Sequence, residues 1–112
     1  MRIKLDIPLC VKQIAEFCRG VATQREDAWV DHITTDSRES EKNDLFIAIT
    51  GKNGDGHNFI EDATRRGALT LTQRWDATVR VDDTGIALLR LASKYKSLFR
   101  ALKATVSITG SV

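Results

Sequence analysis

Leu45-Phe46-Ile47-Ala48-Ile49-Thr50-Gly51-Lys52-Asn53-Gly54-Asp55-Gly56-His57 is the stretch that decides the fold. Its first five residues are an unbroken apolar run, the pattern of a strand buried on both faces in the middle of a sheet. The three glycines and Asn53 that follow predict a loop and no regular element. Phe59, Ile60 and Ala63 then share one helical face, with Gly67 placed as a helix stop. Ala68 to Thr72 reads as the next strand and Thr78 to Val81 as another. Strand, glycine-rich loop, helix, strand is the order of a βαβ crossover. Its loop lies at a strand's C-terminal end, where open α/β sheets bind ligands.

Toward the N-terminus, Val30 to Thr34 alternates as a strand and Asn43-Asp44 predicts a turn, because Asn tolerates left-handed backbone. Residues 21–28 read as polar and irregular. Ile3 to Ile7 reads as a short edge strand ended by Pro8. Val11, Ile14, Ala15 and Cys18 recur at helical spacing, with Gly20 just past the helix end. Toward the C-terminus, Asp83-Thr84 is an N-cap pair. Leu88, Leu91, Ala92, Tyr95, Leu98, Phe99 and Leu102 form one apolar stripe, and Ala104 to Ile108 is a β-rich run. The expected fold class is α/β, a small mixed sheet flanked by helices, with a further helix and strand at the C-terminal end.

A chain of 112 residues is enough for one compact domain, and 42% apolar residues can build its core. No apolar run approaches the roughly 20 residues of a membrane helix, so no membrane partner is expected. Residues 1–6 lack the apolar stretch of a secretion signal, which makes the cytoplasm the expected location. Cys10 and Cys18 read as free thiols, with Cys18 on the buried helix face. Neither His32 nor His57 has ligand spacing to a cysteine, so no metal site is expected. Charge is uneven. Residues 1–83 carry 12 Lys and Arg against 15 Asp and Glu, whereas residues 84–112 carry Arg90, Lys94, Lys96, Arg100, Lys103 and no acid. Such asymmetry marks a change of structural role along a chain.

The ending, Ile108-Thr109-Gly110-Ser111-Val112, reads as a strand followed by the way many phosphate loops open, a signal that gains weight only with what lies upstream. Of the motif G-x-x-x-x-G-K-[ST], only the first glycine, Gly110, is present. The segments Ile33-Thr34-Thr35-Asp36-Ser37-Arg38, Asp44-Leu45-Phe46-Ile47-Ala48, Gly51 to His57, Phe59-Ile60, Ala63 and Gly67-Ala68 precede it in that order. In order and spacing they resemble the N-terminal domain of the Mur ligases, which add amino acids to UDP-N-acetylmuramic acid in peptidoglycan assembly. The resemblance covers about residue 30 to 112 well and 1–29 loosely. One departure is Lys42-Asn43 where the family commonly has Pro-Gly, a change a left-handed Asn accommodates.

The resemblance implies two units. Residues 1–83 would be a UDP-sugar-binding domain, and residues 84–112 the first helix and strand of a truncated central ATP-binding domain. The ending is more like the branch that adds D-alanyl-D-alanine to UDP-MurNAc-tripeptide than the one that adds the third residue, meso-diaminopimelate or lysine. By motif position, the implied contacts to the UDP moiety are Thr35, Ser37, Lys52, Asn53 and Gly54, with Arg38, Gly51 and His57 as further candidates. Thr109, Gly110 and Ser111 would begin the ATP loop. No catalytic residue or metal ligand is expected in residues 1–112, and activity is not expected of this stretch alone. ATP and magnesium would serve the full-length ligase, and the remaining domains and UDP-MurNAc-peptide would be its partners. Glycine-rich backbone can point N–H groups at phosphate oxygens, Lys52 adds a cation, and a following helix N-terminus favours anions.

The residues also admit blander roles. Asp36 reads as a turn acceptor, Arg38 as an ion-pair partner, the glycines as turn formers, and His57 as a packing or capping residue. Three fates are open to 84–112: disorder, packing on the chain's own sheet, or self-association. From another class, a nucleic-acid-binding module would use the basic helix 84–103, although acidic residues 1–83 and few aromatics argue against nucleic acid. An interaction domain that has lost ligand binding is a third reading.

Overall fold

The computed structural model describes residues 2–51, 54–55, 59–95 and 100. The strands are β1 (Arg2–Cys10), β2 (Val21–Ala22), β3 (Trp29–Thr34), β4 (Leu45–Ile47), β5 (Thr50–Gly51), β6 (Gly54–Asp55), β7 (Leu69–Thr72) and β8 (Val79–Arg80). The helices are α1 (Val11–Cys18), α2 (Ile60–Arg65) and α3 (Thr84–Lys94), with a single 3-10 turn over Ser37–Glu39. Six strands form one sheet in the order β1-β3-β4-β7-β8-β2, and β5 and β6 form a separate ribbon. The inner strands β3, β4, β7 and β8 are mutually parallel, and β1 and β2 are antiparallel edges. The expected α/β class with a mixed sheet is what the chain adopts.

Alternation along the parallel strands sorts side chains into two cores. Ile33, Leu45, Ile47, Leu69, Leu71, Val79 and Val81 meet α1 and α3 on one face. Phe46 and Ala48 meet Ala63, Ala68 and Ile60 around α2 on the other. That second face of the sheet is rich in threonine: Thr34, Thr70, Thr72 and Thr78 are all buried. Two of them exchange hydrogen bonds, Thr70 N–H to Thr78 Oγ1 and Thr78 N–H to Thr70 Oγ1, each 3.2 Å. This pairing braces a β7–β8 connection far shorter than the dozen or more residues a parallel crossover usually needs.

α3 begins where its N-cap was expected. Asp83 Oδ1 accepts from Ile86 N–H at 2.9 Å. Ala87, Leu88, Leu91 and Ala92 lie in the same core as α1 and the sheet. Tyr95 meets Phe17 edge to face, with centroids 6.3 Å apart. Leu98, Phe99, Leu102 and the run 104–112 lie outside the described residues.

Four local expectations need correction. β1 does not end at Pro8 but runs to Cys10, with its register shifting between Lys4 and Leu9. An edge strand tolerates proline at such an irregularity because no partner needs the missing N–H. Residues 21–28 are not wholly irregular, since Val21 and Ala22 pair with Arg80 and Val79; two residues are too few to show a period. The left-handed residue after α1 is Arg19, φ 57°, and not Gly20. A Cβ on Gly20 would lie 2.5 Å from the Arg80 carbonyl oxygen, so glycine there permits close approach of β8. The glycine-rich stretch is not all loop, because Thr50 pairs with Asp55 and Gly51 with Gly54.

The turn before β4 is tied at both ends. Asn43 has φ 67°, and its N–H donates to the Gly67 carbonyl at 3.0 Å. Gly67, φ 88°, packs against Lys42. Asp44 is buried and accepts from Arg2 Nε at 2.6 Å and Arg2 Nη2 at 3.1 Å, and from Glu41 N–H at 3.0 Å. Asp44→Ala strands Arg2 and should lower the unfolding free energy by about 3 kcal/mol in chemical denaturation. Asn43→Val should cost about 1–2 kcal/mol through its left-handed backbone, while Asn43→Gly should be neutral or stabilising. Equal midpoints for the two Asn43 variants would show that backbone handedness does not limit this turn.

Candidate functional site at the C-terminal edge of the parallel strands

Because β3 and β4 are adjacent and parallel, their C-terminal ends lie side by side, with Thr34 opposite Phe46. The Thr35-Asp36-Ser37-Arg38 segment leaves one end and the glycine-rich ribbon leaves the other. β7 and β8 extend the same edge, so Gln73 and Asp83-Thr84 emerge farther along it. This is the edge at which open parallel sheets take ligands.

Thr35 is half-buried beyond the end of β3. Asp36 caps the 3-10 turn, its Oδ1 accepting from Arg38 N–H at 2.9 Å. The Arg38 side chain returns to the same carboxylate through Nε at 3.1 Å and Nη2 at 2.9 Å. These bonds, the guanidinium contact first, hold the Asp36 carboxyl below the usual aspartate range. Ser37 is buried, and its hydroxyl lies close enough to Asp62 on α2 to be the leading cause of that carboxyl's lowered pKa. Arg66 lies 3.3 Å and Arg65 3.9 Å from Asp62. Ser37 thus ties the turn to α2, and Arg38 is engaged within its own turn.

Gly51 and Gly54 face each other in the β5–β6 ribbon. Lys52, Asn53 and His57, like Thr109, Gly110 and Ser111, lie outside the described residues. The structure brings Thr35, Ser37 and Arg38 together in one turn and sets the Gly51–Gly54 ribbon after the neighbouring strand.

Sequence reasoning missed Asp62 and Gln73 and treated Thr84 only as part of a cap. Asp62 sits among ordinary first-turn acids of α2, so nothing in the chain order sets it apart. Gln73, Ile49, Asp83, Thr84 and Gly85 line a cavity of about 260 Å³ at this edge. A groove of about 760 Å³ runs beside α2, lined by Ile60, Glu61, Thr64, Arg65, Thr70, Arg74 and Asp76. A third depression, beside Ile7, Trp29 and Lys42, lies at the N-terminal ends of β3 and β4, away from the loops in question.

Asp31, His32 and Asp44 cluster in a way that could suit a metal. Arg2 occupies Asp44, however, and His32 Nδ1 lies 2.9 Å from Asp31 Oδ1, so the group reads as an ion-pair cluster joining β1, β3 and β4. The basic face of α3 is also partly used inside the fold. Arg90 Nη1 donates to the Cys18 carbonyl at 3.0 Å, and Lys94 Nζ sits 5.9 Å from the Phe17 ring centre.

The Mur ligase family, catalytic domain, matches residues 30–96. The UDP-N-acetylmuramoyl-tripeptide--D-alanyl-D-alanine ligase of Bacillus subtilis (strain 168) is 34% identical over 113 residues, which cover 90% of this chain and 24% of that protein. A UDP-N-acetylmuramoyl-L-alanyl-D-glutamate--2,6-diaminopimelate ligase of Clostridium perfringens (strain 13 / Type A) is 34% identical over 93 residues, 77% of this chain and 19% of that protein. Among solved structures, the UDP-N-acetylmuramoylalanyl-D-glutamyl-2,6-diaminopimelate--D-alanyl-D-alanyl ligase from Acinetobacter baumannii superposes with a TM-score of 0.70 at 30% identity. That superposition covers 80% of this chain and 22% of the other. The chain therefore spans about a quarter of the length of the Bacillus relative. With a family match over more than half of its residues and a shared fold, the chain belongs to the Mur ligase family.

Proposed function

We propose that this chain holds the UDP moiety of UDP-MurNAc-tripeptide for a cytoplasmic ATP-dependent ligase that adds D-alanyl-D-alanine to that substrate in peptidoglycan synthesis. The observation that carries the reading is the convergence of two motif-bearing segments, Thr35–Arg38 and the Gly51–Gly54 ribbon, at the C-terminal ends of adjacent parallel strands. The D-alanyl-D-alanine branch is favoured by the Acinetobacter and Bacillus likenesses taken with the Thr-Gly-Ser-Val ending.

In this reading Thr35, Ser37, Lys52, Asn53 and Gly54 contact the UDP end, with Arg38, Gly51 and His57 nearby. With its proton turned to Asp62, the Ser37 hydroxyl would offer its lone pairs to a ligand N–H. Ribbon N–H groups would meet diphosphate oxygens. Residues 1–83 form the UDP-binding unit. α3 joins it to the ATP-binding unit that 84–112 begins, since its apolar face is buried in the first unit's core. ATP with magnesium would supply the phosphoryl group that activates the substrate carboxylate, in the part of the ligase that Thr109, Gly110 and Ser111 open. The other ligase domains are the expected partners.

Ser37→Ala should weaken UDP-MurNAc-tripeptide binding by about tenfold in calorimetry, the scale of one good hydrogen bond. Unchanged affinity in a folded variant would favour an interaction domain without ligand binding. The turn should also carry a pH signature. Asp36 and Asp62 have lowered pKa values in the fold, so their contribution is full above the ordinary aspartate range, about 4. It is lost as pH falls through the lowered values. Acid titration should therefore loosen the 3-10 turn against α2, and Asp62→Asn should flatten that response when amide shifts near Ser37 are followed.

A further inference from the structure

We propose that the cavity lined by Ile49, Gln73, Asp83, Thr84 and Gly85 is a subsite for neutral sugar hydroxyls, with the Thr84 hydroxyl as its reading group. The inference rests on the UDP-sugar reading above and assigns part of the same ligand to a place that no motif marks.

Thr84 is 5% exposed and lines the cavity, yet its hydroxyl has no hydrogen-bond partner among the described residues. A buried hydroxyl without a partner is unfavourable, and a ligand group placed there would relieve that cost. Around it, Asp83 spends Oδ1 on the Ile86 N–H of the cap, and Oδ2 has no partner among the described residues. Gln73 donates its amide to the Asp82 carbonyl at 2.7 Å, so its side-chain oxygen remains an acceptor. Gly85 adds open backbone at the second position of an 11-residue helix, where first-turn N–H groups lack intrahelical partners.

The chemistry of this lining selects its ligand. Among the described residues it holds one carboxylate, one hydroxyl, one amide and an apolar wall from Ile49, and no Lys or Arg. A diphosphate would face Asp83 without a compensating cation. Hydroxyl groups can donate to Asp83 and Gln73, accept from Gly85 N–H, and do both with Thr84. A volume of about 260 Å³ has room for one sugar ring. The cavity also lies on the ligand edge of the sheet, two to three strands along from Thr35–Arg38. With strands about 4.8 Å apart, the separation of the two places is about 10–15 Å, within reach of an extended UDP-sugar.

The test uses the whole 112-residue chain. Amide shifts of Gln73, Thr84 and Gly85 would be followed on adding uridine, UDP, UDP-MurNAc-tripeptide and inorganic pyrophosphate. The sugar-bearing ligands should move these signals and pyrophosphate should not. Movement with uridine assigns the ribose, and movement with UDP-MurNAc-tripeptide alone assigns the amino sugar. Thr84→Val should weaken UDP-MurNAc-tripeptide binding about tenfold. Thr84→Ser should stay within about threefold of the parent, and Asp83→Asn should preserve the cap while weakening binding. Wild-type affinity in folded Thr84→Val, or equal shifts with pyrophosphate, would overturn the subsite while leaving the UDP-binding reading intact. Absence of any uridine-nucleotide binding by the parent chain would reject both. If Thr84→Val does not fold, unchanged affinity in Asp83→Asn would also reject the subsite.

Discussion

Burial of β4 on both faces is the constraint on which the rest of the structure depends. Leu45 and Ile47 must be covered from one side and Phe46 from the other, and all three are fully buried. α1 and α3 supply one cover and α2 the other. A strand so enclosed must also satisfy its backbone laterally, which parallel β3 and β7 do. The four parallel strands share a direction, and their outgoing loops therefore share an edge. The gathering of ligand-facing segments at that edge is a consequence of how one short strand is buried.

The two covers differ in kind. The α1–α3 side is aliphatic and continuous, whereas the α2 side is a small cluster beside a field of threonines. Hydroxyls buried there bond to backbone, as Thr70 and Thr78 do, and a short helix suffices over a face with little grease to hide. The same economy leaves grooves beside α2 and lets the 3-10 turn reach it. Ser37 and Asp62 therefore join two elements that a bulkier apolar layer would have kept apart.

Much of this was legible because burial writes itself into periodicity. The doubly buried run at 45–48 and the apolar faces of α1 and α3 follow from side-chain pattern alone. So does the left-handed turn at Asn43, since few residues tolerate that backbone. What escaped the sequence depends on contacts distant in chain order. Val21–Ala22 is a strand only because β8 lies beside it. Gly20 is set by the Arg80 carbonyl, not by the helix end it follows. At the site, motif spacing could point to Thr35, Ser37 and Arg38. It could not show that Asp62 and Asp36 already engage two of them, nor that Thr84 faces a cavity with no hydrogen-bond partner among the described residues.

Cys18 carries a consequence of the α1–α3 packing. The thiol is 1% exposed, lies 3.7 Å from the Ala87 carbonyl, and is pushed up to about 12 by burial. At neutral pH it is almost entirely protonated, and no reagent reaches it while the helices stay in contact. Cys10, half-exposed one residue before α1, has no such shelter. The two sulfurs therefore differ in access: one is partly open to solvent, and modification of the other counts the moments at which two helices part.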